Sequence, residues 1–166
     1  EETRETAQMC LLEGNKYTVA MMRESARPFR ISSSIGELVP IPWTASGRLL
    51  VSHLSDQEIV DLIPADDFVM PDGRRLDPAV FIAEARQAGR DGYFTFNSQV
   101  DTYTHCFAAP IHQADGACIA TLCLVAPKED GLRNRDAYID ALVRACQEIS
   151  ERLGANPDRR QDARKS

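Results

Sequence analysis

Apolar and polar positions alternate at two different periods along this chain. Residues 6–12 (TAQMCLL) and 16–22 (KYTVAMM) are β-tolerant runs flanking Glu13-Gly14-Asn15. Glycine and asparagine accept the positive φ of a tight turn, so this pattern predicts a hairpin. Residues 25–34 carry Pro28 and end in serines, which predicts an irregular or edge strand because proline donates nothing to a ladder. Gly36 marks a turn. Residues 40–54 (PIPWTASGRLLVSHL) then pass from an apolar approach, through small polar residues, to Leu50, Val51 and Leu54 at helical spacing. Thr44 is the expected N-cap, with Ala45, Ser46 and Gly47 as the first turn.

Ser55-Asp56-Gln57-Glu58 fits a capping box ahead of Ile59, Leu62 and Ile63, predicting a short helix stopped at Pro64. Residues 65–76 have loop composition, with Pro71, Gly73 and five charged side chains. Asp77-Pro78 starts another helix, where the missing proline N–H costs nothing. Val80, Phe81, Ala85 and Ala88 are its expected apolar face and Gly89 its expected end. Three β-like runs follow, at 93–96, 102–110 and 118–125, with Asp115-Gly116 turning between the last two. Over residues 136–153, Ile139, Leu142, Val143, Cys146, Ile149 and Leu153 recur every three or four positions, which predicts a long amphipathic helix covering a sheet face. Residues 1–154 are expected to form one domain and the polar residues 155–166 a disordered tail. Strands, helices, strands, helix is an α+β order, with an antiparallel sheet that keeps one face for helices and one for a pocket. There is no internal repeat.

With 166 residues, 43% of them hydrophobic, the chain has enough length for a core without disulfides or metal staples. Its formal charge of −6 argues against nucleic-acid binding by this segment, since phosphate contacts need clustered Lys and Arg. The odd set Cys10, Cys106, Cys118, Cys123 and Cys146 has no close CxxC pair and fits reduced thiols in a cytoplasmic protein. No apolar run reaches the roughly twenty residues of a membrane span. The start at Glu1, without methionine and on what resembles a helix end, is expected of a fragment from a longer chain. Paired carboxylates, a phosphate-binding glycine loop and a Ser/His/Asp order are all missing, so neither an enzyme nor a bound cofactor is expected.

The candidate chemistry gathers at the helix start after Thr44. Small side chains there let an anionic or carbonyl group approach free N–H groups carrying roughly half a positive charge. Ala45, Ser46 and Gly47 equally fit a turn against which another element packs closely, and the spacing does not separate these. Cys106 is open to three readings: pocket wall, redox thiol or core. His105 and Cys106 cannot pair as base and nucleophile, because adjacent strand side chains point to opposite faces. Cys118 and Cys123, five apart, also face opposite ways unless a bulge intervenes, so no metal site is expected. Trp43 suits a pocket rim or a core seal. Arg48 is expected in solvent or at a subunit contact. Gln99, Tyr103 and His105 fit the polar end of a ligand or an exposed edge strand.

Several strings in order, SSIGELVPIPWTASGRLLVSHL at 33–54, Ala88-Gly89 to Gly92-Tyr93, CFAAP at 106–110 before Asp115-Gly116, and ISERLG at 149–154, resemble the effector-binding domain of IclR-type bacterial transcription regulators. The resemblance covers nearly the whole chain. It implies a GAF-like α+β fold, an antiparallel sheet flanked by helices with a small-molecule pocket on one side. It further implies a homodimer or homotetramer that reaches DNA only through an N-terminal winged helix-turn-helix, which this segment lacks. Pocket positions carry over to Pro28, Ile31, Ala45, Ser46, Cys106, Cys123 and Val125. Members that bind small oxo-acids have hydroxyl residues on the strand where this chain has Cys123-Leu124-Val125-Ala126. They have acidic residues shortly after Gly-Tyr, where this chain reads Phe94 to Gln99. The expected pocket is therefore less polar, and its ligand a small organic acid with an apolar, for instance aromatic, body. With Trp43, Phe96 and Asn97 from this chain's own segments, the expected ligand set is Ile31, Trp43, Ala45, Ser46, Phe96, Asn97, Cys106, Cys123 and Val125. The competing functions are a GAF-like redox-thiol enzyme or sensor using Cys106 or Cys123, and an oligomerisation module with a collapsed pocket.

Overall fold

The hairpin around Gly14 forms, with β1 (Thr6–Glu13) paired antiparallel to β2 (Lys16–Arg23) and Gly14 at φ 60°. The computed structural model describes residues 2–25, 34–98 and 101–155, so the irregular strand expected through Pro28 and Ile31 lies outside the described residues. Six strands build one antiparallel sheet in the order β3-β2-β1-β6-β5-β4. Its other members are β3 (Leu38–Pro40), β4 (Phe94–Asn97), β5 (Thr104–His112) and β6 (Cys118–Pro127). β3 was not predicted. Its three residues pair with Lys16, Tyr17 and Thr18, a length too short to show alternation.

The helices follow their caps. α1 (Ala45–Leu50) starts where Thr44 Oγ1 accepts from the Gly47 amide at 2.9 Å, but it ends at Leu50 and does not reach Leu54. α2 (Asp56–Leu62) has both hydrogen bonds of the Ser55/Glu58 capping box. α3 (Pro78–Asp91) begins with Asp77 accepting from Ala79, as expected, yet it runs through Gly89 and closes at Gly92, φ 76°. Gly89 serves packing: a Cβ there would sit 3.2 Å from Ser52 Cβ. Val80 is exposed rather than part of the apolar face. Residues 65–68 form a 3-10 turn inside the expected loop, tied to the sheet by an ion pair between Asp67 and Lys16. A short α4 (Lys128–Arg133), also not predicted, precedes α5 (Arg135–Arg152). Leu153 is exposed; Gly154 turns the chain at φ 84°, and Ala155 is buried with its amide on the Ser150 carbonyl at 2.9 Å. Ala155 therefore belongs to the domain. Residues 156–166 lie outside the described residues.

Strand alternation sorts the core into two layers. On one face Cys10, Tyr17, Val19, Cys123 and Val125 pack with Leu50, Ile59 and Phe81 from α1, α2 and α3. On the other, Phe107, Ala109, Ile111, Leu124 and Ala126 meet Tyr138, Ile139, Leu142 and Cys146, all on α5. Fully burying a side chain such as Phe81 or Phe107 contributes about 1.5–3 kcal/mol. One expectation changes in kind: the sheet does not reserve one face for helices and one for a pocket. The hollow that collects the expected site residues shares the α1 face, beyond the start of that helix. The β5/β6 register skips Ile119, since Ile111 pairs with Ala120 and His112 with Cys118. That bulge puts Cys118 in the same layer as Cys123, not opposite it. Among the described residues no group of three His, Cys, Asp or Glu is placed to hold a metal, and no helix is long and apolar enough to cross a membrane.

Candidate functional site

A cavity of ≈ 440 Å³ opens beside the start of α1, walled by β1, β2, β4, β5 and β6. The local sequence builds it. Residues 41–43 form a 3-10 turn that leads directly into α1, and Thr44 caps the junction. Gly47 packs against that turn, so Ala45 and Ser46 are left toward the hollow. Period-two alternation brings Cys106 from β5 and Cys123 and Val125 from β6 to the same wall, and β4 adds Phe96. Trp43 lines the cavity with its indole N–H donated to the Val69 carbonyl at 3.0 Å, so its polar edge is already occupied.

Ser46 is the chemically informative group. Its side chain is 1% exposed and its Oγ has no hydrogen-bond partner. The thiols of Cys10 and Cys123 are close enough to interact with it, but a thiol is a weak partner for a hydroxyl. Leaving a buried hydroxyl unpaired costs about 1–3 kcal/mol. The first-turn amides of Ala45 and Ser46 have no acceptor within the helix by its geometry. The same wall carries Tyr17, whose hydroxyl is 3.0 Å from Cys10 Sγ.

Two sequence expectations are corrected. Asn97 does not line the cavity. Its Oδ1 is 2.9 Å from His105 Nδ1, while Thr95 Oγ1 is 2.6 Å from His105 Nε2. His105 lies 4.8 Å from the Phe107 ring, centroid to centroid, and its Cβ is 2.9 Å from where a Cβ on Gly131 of α4 would be. Asn97 therefore holds a buried histidine on the α5 face; burial first, then Arg135 and Lys128, push the pKa of His105 down. Arg48 is not solvated. It is 2% exposed, its Nε donates to Glu84 at 2.9 Å, and its Nη1 donates to the Pro42 and Thr44 carbonyls at 2.9 and 2.8 Å. Its guanidinium stands 5.0–5.1 Å from the centres of the Phe81, Phe94 and Phe96 rings. Arg48 thus locks the helix start to α3 and β4. Pro28, Ile31 and Gln99 lie outside the described residues, and Tyr103 is at the cavity mouth, exposed.

Gln8, Tyr17, Glu37, Asp101 and Thr104 also line the cavity and were missed from sequence. Alternation within β1 and β2 places residues 8, 10, 17 and 19 on one face once the hairpin register is known. Asp101 accepts from the Tyr103 and Thr104 amides at 2.9 and 2.7 Å and from Thr104 Oγ1 at 2.6 Å. Partial burial opposes its ionisation, but the hydrogen bonds from Thr104, Tyr103 and Ser98 outweigh it and hold its pKa below the ordinary value. A second hollow, ≈ 360 Å³, lies where α3 and α5 approach the ends of α1 and β5. It collects none of the expected site residues, and its Arg86 is occupied by Asp56 at 2.6 Å and the Ser52 carbonyl at 2.8 Å.

Burial disfavours the thiolate at Cys10, Cys106 and Cys123. Burial, then Asp101 and Cys10, push Cys106 up to about 12; burial raises Cys10 to about 11 despite hydrogen bonding to Tyr17, and Cys123 also lies well above its ordinary value. Thiolate, not thiol, is the reactive form. Alkylation of the native protein at pH 8 should run no faster than that of a free model thiol. The same shifts set an alkaline limit. Because the folded pKa values are raised, the stabilisation is complete below the unfolded value of 9.0 and is lost as pH rises toward 11–12. Urea midpoints measured from pH 8 to 11 should fall above about pH 9; a flat profile would contradict the burial of these groups.

A family model described as "Bacterial transcriptional regulator IclR C-terminal" matches residues 1–151. The HTH-type transcriptional regulator KipR of Bacillus subtilis is 24% identical over 155 residues, covering 92% of this chain and 62% of that protein. The HTH-type transcriptional repressor AllR of Salmonella typhimurium is 22% identical over 160 residues, covering 92% of this chain and 57% of its own length. This chain therefore spans roughly 57–62% of the length of these relatives. The crystal structure of Thermotoga maritima IclR superposes with a TM-score of 0.79 at 22% identity, covering 92% of this chain and 62% of that one, a likeness of fold.

Proposed function

Because this chain belongs to the bacterial transcriptional regulator IclR C-terminal family, we propose that it is the ligand-sensing domain of a cytoplasmic transcription regulator. In this proposal it binds a small organic acid with an apolar, preferably aromatic, body. The observation that carries this is the buried, unpartnered Ser46 hydroxyl on a cavity of ≈ 440 Å³. A hydroxyl kept unpaired at a cost, on a cavity that Val19, Phe96, Cys106, Cys123 and Val125 also line, is suited to a ligand oxygen arriving with an apolar body. The carboxylate would accept from Ser46 Oγ and the first-turn amides, while the ring would occupy the space between Phe96 and Val125.

The coupling follows from what holds α1. Arg48 ties the ligand floor to α3 through Glu84 and to β4 through its stacking on Phe94 and Phe96. A ligand that binds one position of α1 better than another shifts the balance between two arrangements of a homodimer or homotetramer. The spacing of the DNA-reading domains, which lie in another part of the protein, changes with it. DNA contact belongs to those domains, since this segment carries a net charge of −6.

The test is a thermal-shift and calorimetric titration with benzoate, 4-methylbenzoate and phenylacetate against glyoxylate and pyruvate. Aromatic acids should raise the melting temperature; a ligand present at 100 times its Kd adds about 2.7 kcal/mol of stability. Tight binding of glyoxylate or pyruvate with no aromatic acid bound would overturn the ligand class.

A further inference from the structure

The cavity is asymmetric in charge, and that asymmetry constrains its ligand beyond an acid group. Its deep wall is neutral: the Ser46 hydroxyl has no hydrogen-bond partner there, and the Cys106 and Cys123 thiols are held protonated by burial. Its mouth is acidic. Glu37, exposed on the turn before β3, and Asp101, half-buried at the start of β5, both line the same hollow. No Lys, Arg or His is among the described residues that line it. Arg48, buried on α1, is already paired with Glu84 and with two backbone carbonyls. A simple monoanion entering this cavity therefore passes two carboxylates and meets no balancing positive side chain among the described lining residues, an arrangement that disfavours it at low ionic strength.

We infer that the effector is two-ended, with an acid or carbonyl group at the Ser46 floor and a protonated amine facing Glu37 and Asp101 at the mouth. Asp101 suits this role because its three internal hydrogen bonds fix the carboxylate in place without neutralising it. Glu37 supplies a second charge that is free to adjust, being exposed. The hydroxyl end selects for an acceptor and the acidic end against a second one, so the two ends together give orientation as well as affinity. This rests on taking the cavity as the effector site.

The experiment is isothermal calorimetry on the 166-residue protein at low and high salt, with 4-methylbenzoate, 4-methylbenzylamine and 4-(aminomethyl)benzoate as probes. The zwitterion should bind about tenfold or more tighter than 4-methylbenzoate at low salt. That advantage should shrink severalfold in 0.5 M NaCl and in Glu37→Gln, an exposed position whose replacement leaves the fold intact. Asp101→Asn should shrink it further. Equal or tighter binding of 4-methylbenzoate, or an advantage unchanged in both variants, overturns the two-ended ligand while leaving the acid-sensing function standing. Binding of none of the three probes overturns the function proposed for the cavity and this inference with it.

Discussion

Arg48→Ala is expected to cost the domain about 3–5 kcal/mol, the range for breaking a buried ion pair by removing one partner. Three acceptors lose their donor at once: the Glu84 carboxylate and the carbonyls of Pro42 and Thr44. Three aromatic rings lose a guanidinium stacked at 5.0–5.1 Å. The Glu84 side chain is 36% exposed, so water recovers part of its loss, but the two carbonyls sit in the packed junction between the 3-10 turn and α1. Arg48→Lys should recover little, because an ammonium cannot span Glu84 and both carbonyls with a planar fork. Glu84→Gln should cost less than Arg48→Ala, since the two carbonyl acceptors remain. Urea unfolding of the three variants checks this order, and a loss below 1 kcal/mol for Arg48→Ala would mean the side chain is solvated after all.

Gly47→Ala is the second large effect. A Cβ at this position would lie 2.1 Å from the Ile41 carbonyl oxygen and 2.9 Å from Ile41 Cγ2. The neighbour is backbone, in a 3-10 turn that is itself buried at Ile41 and Pro42, so it cannot swing aside as a side-chain end would. The helix must slide away from the turn, breaking the Thr44 cap and displacing Ser46 from the cavity wall. Overpacking of this kind costs about 1–3 kcal/mol or more. Circular dichroism melts should show a lowered midpoint, and ligand response should be lost even at temperatures where the variant remains folded. Unchanged stability would show that the turn and helix are less tightly apposed than described.

Gly47 also shows where the sequence was and was not legible. The three small residues at the helix start were equally consistent with close packing and with an open anion site. The geometry divides them: Gly47 is small because Ile41 is against it, whereas Ser46 faces the cavity. Caps were readable because they are local. Thr44, Ser55 with Glu58, and Asp77 with Pro78 each satisfy amides within a few positions of themselves, so composition alone locates them. Burial was not readable where a partner is remote. Arg48 looks solvated from its charge, and the opposite charge that its burial needs comes from Glu84, 36 positions away.

Strand faces had the same dependence on distant register. The β1/β2 ladder shifts between Met9 and Cys10, and the β5/β6 ladder skips Ile119. Counting by twos therefore put Cys118 on the wrong face and gave no reason to group Gln8 and Tyr17 with Cys106. Asn97 follows Phe96 directly, and strand alternation sends the two to opposite faces, Phe96 beside Cys106 and Asn97 beside His105. The short elements β3 and α4 carry too few residues for either period to emerge. Glycine often closes helices, which makes Gly89 look like an end, but the left-handed cap is Gly92.

Ligand sensing at this cavity centres on the Ser46 hydroxyl, and Ser46→Ala tests it most directly. Melting temperature is measured with and without a saturating aromatic acid, the tightest of benzoate, 4-methylbenzoate and phenylacetate. Removing an unpaired buried hydroxyl should leave the unliganded protein as stable as wild type or more so, by up to about 1–3 kcal/mol, while the ligand-induced rise shrinks or disappears. A destabilised unliganded protein with an intact ligand response would show that Ser46 serves the fold and not the ligand, and would contradict the account.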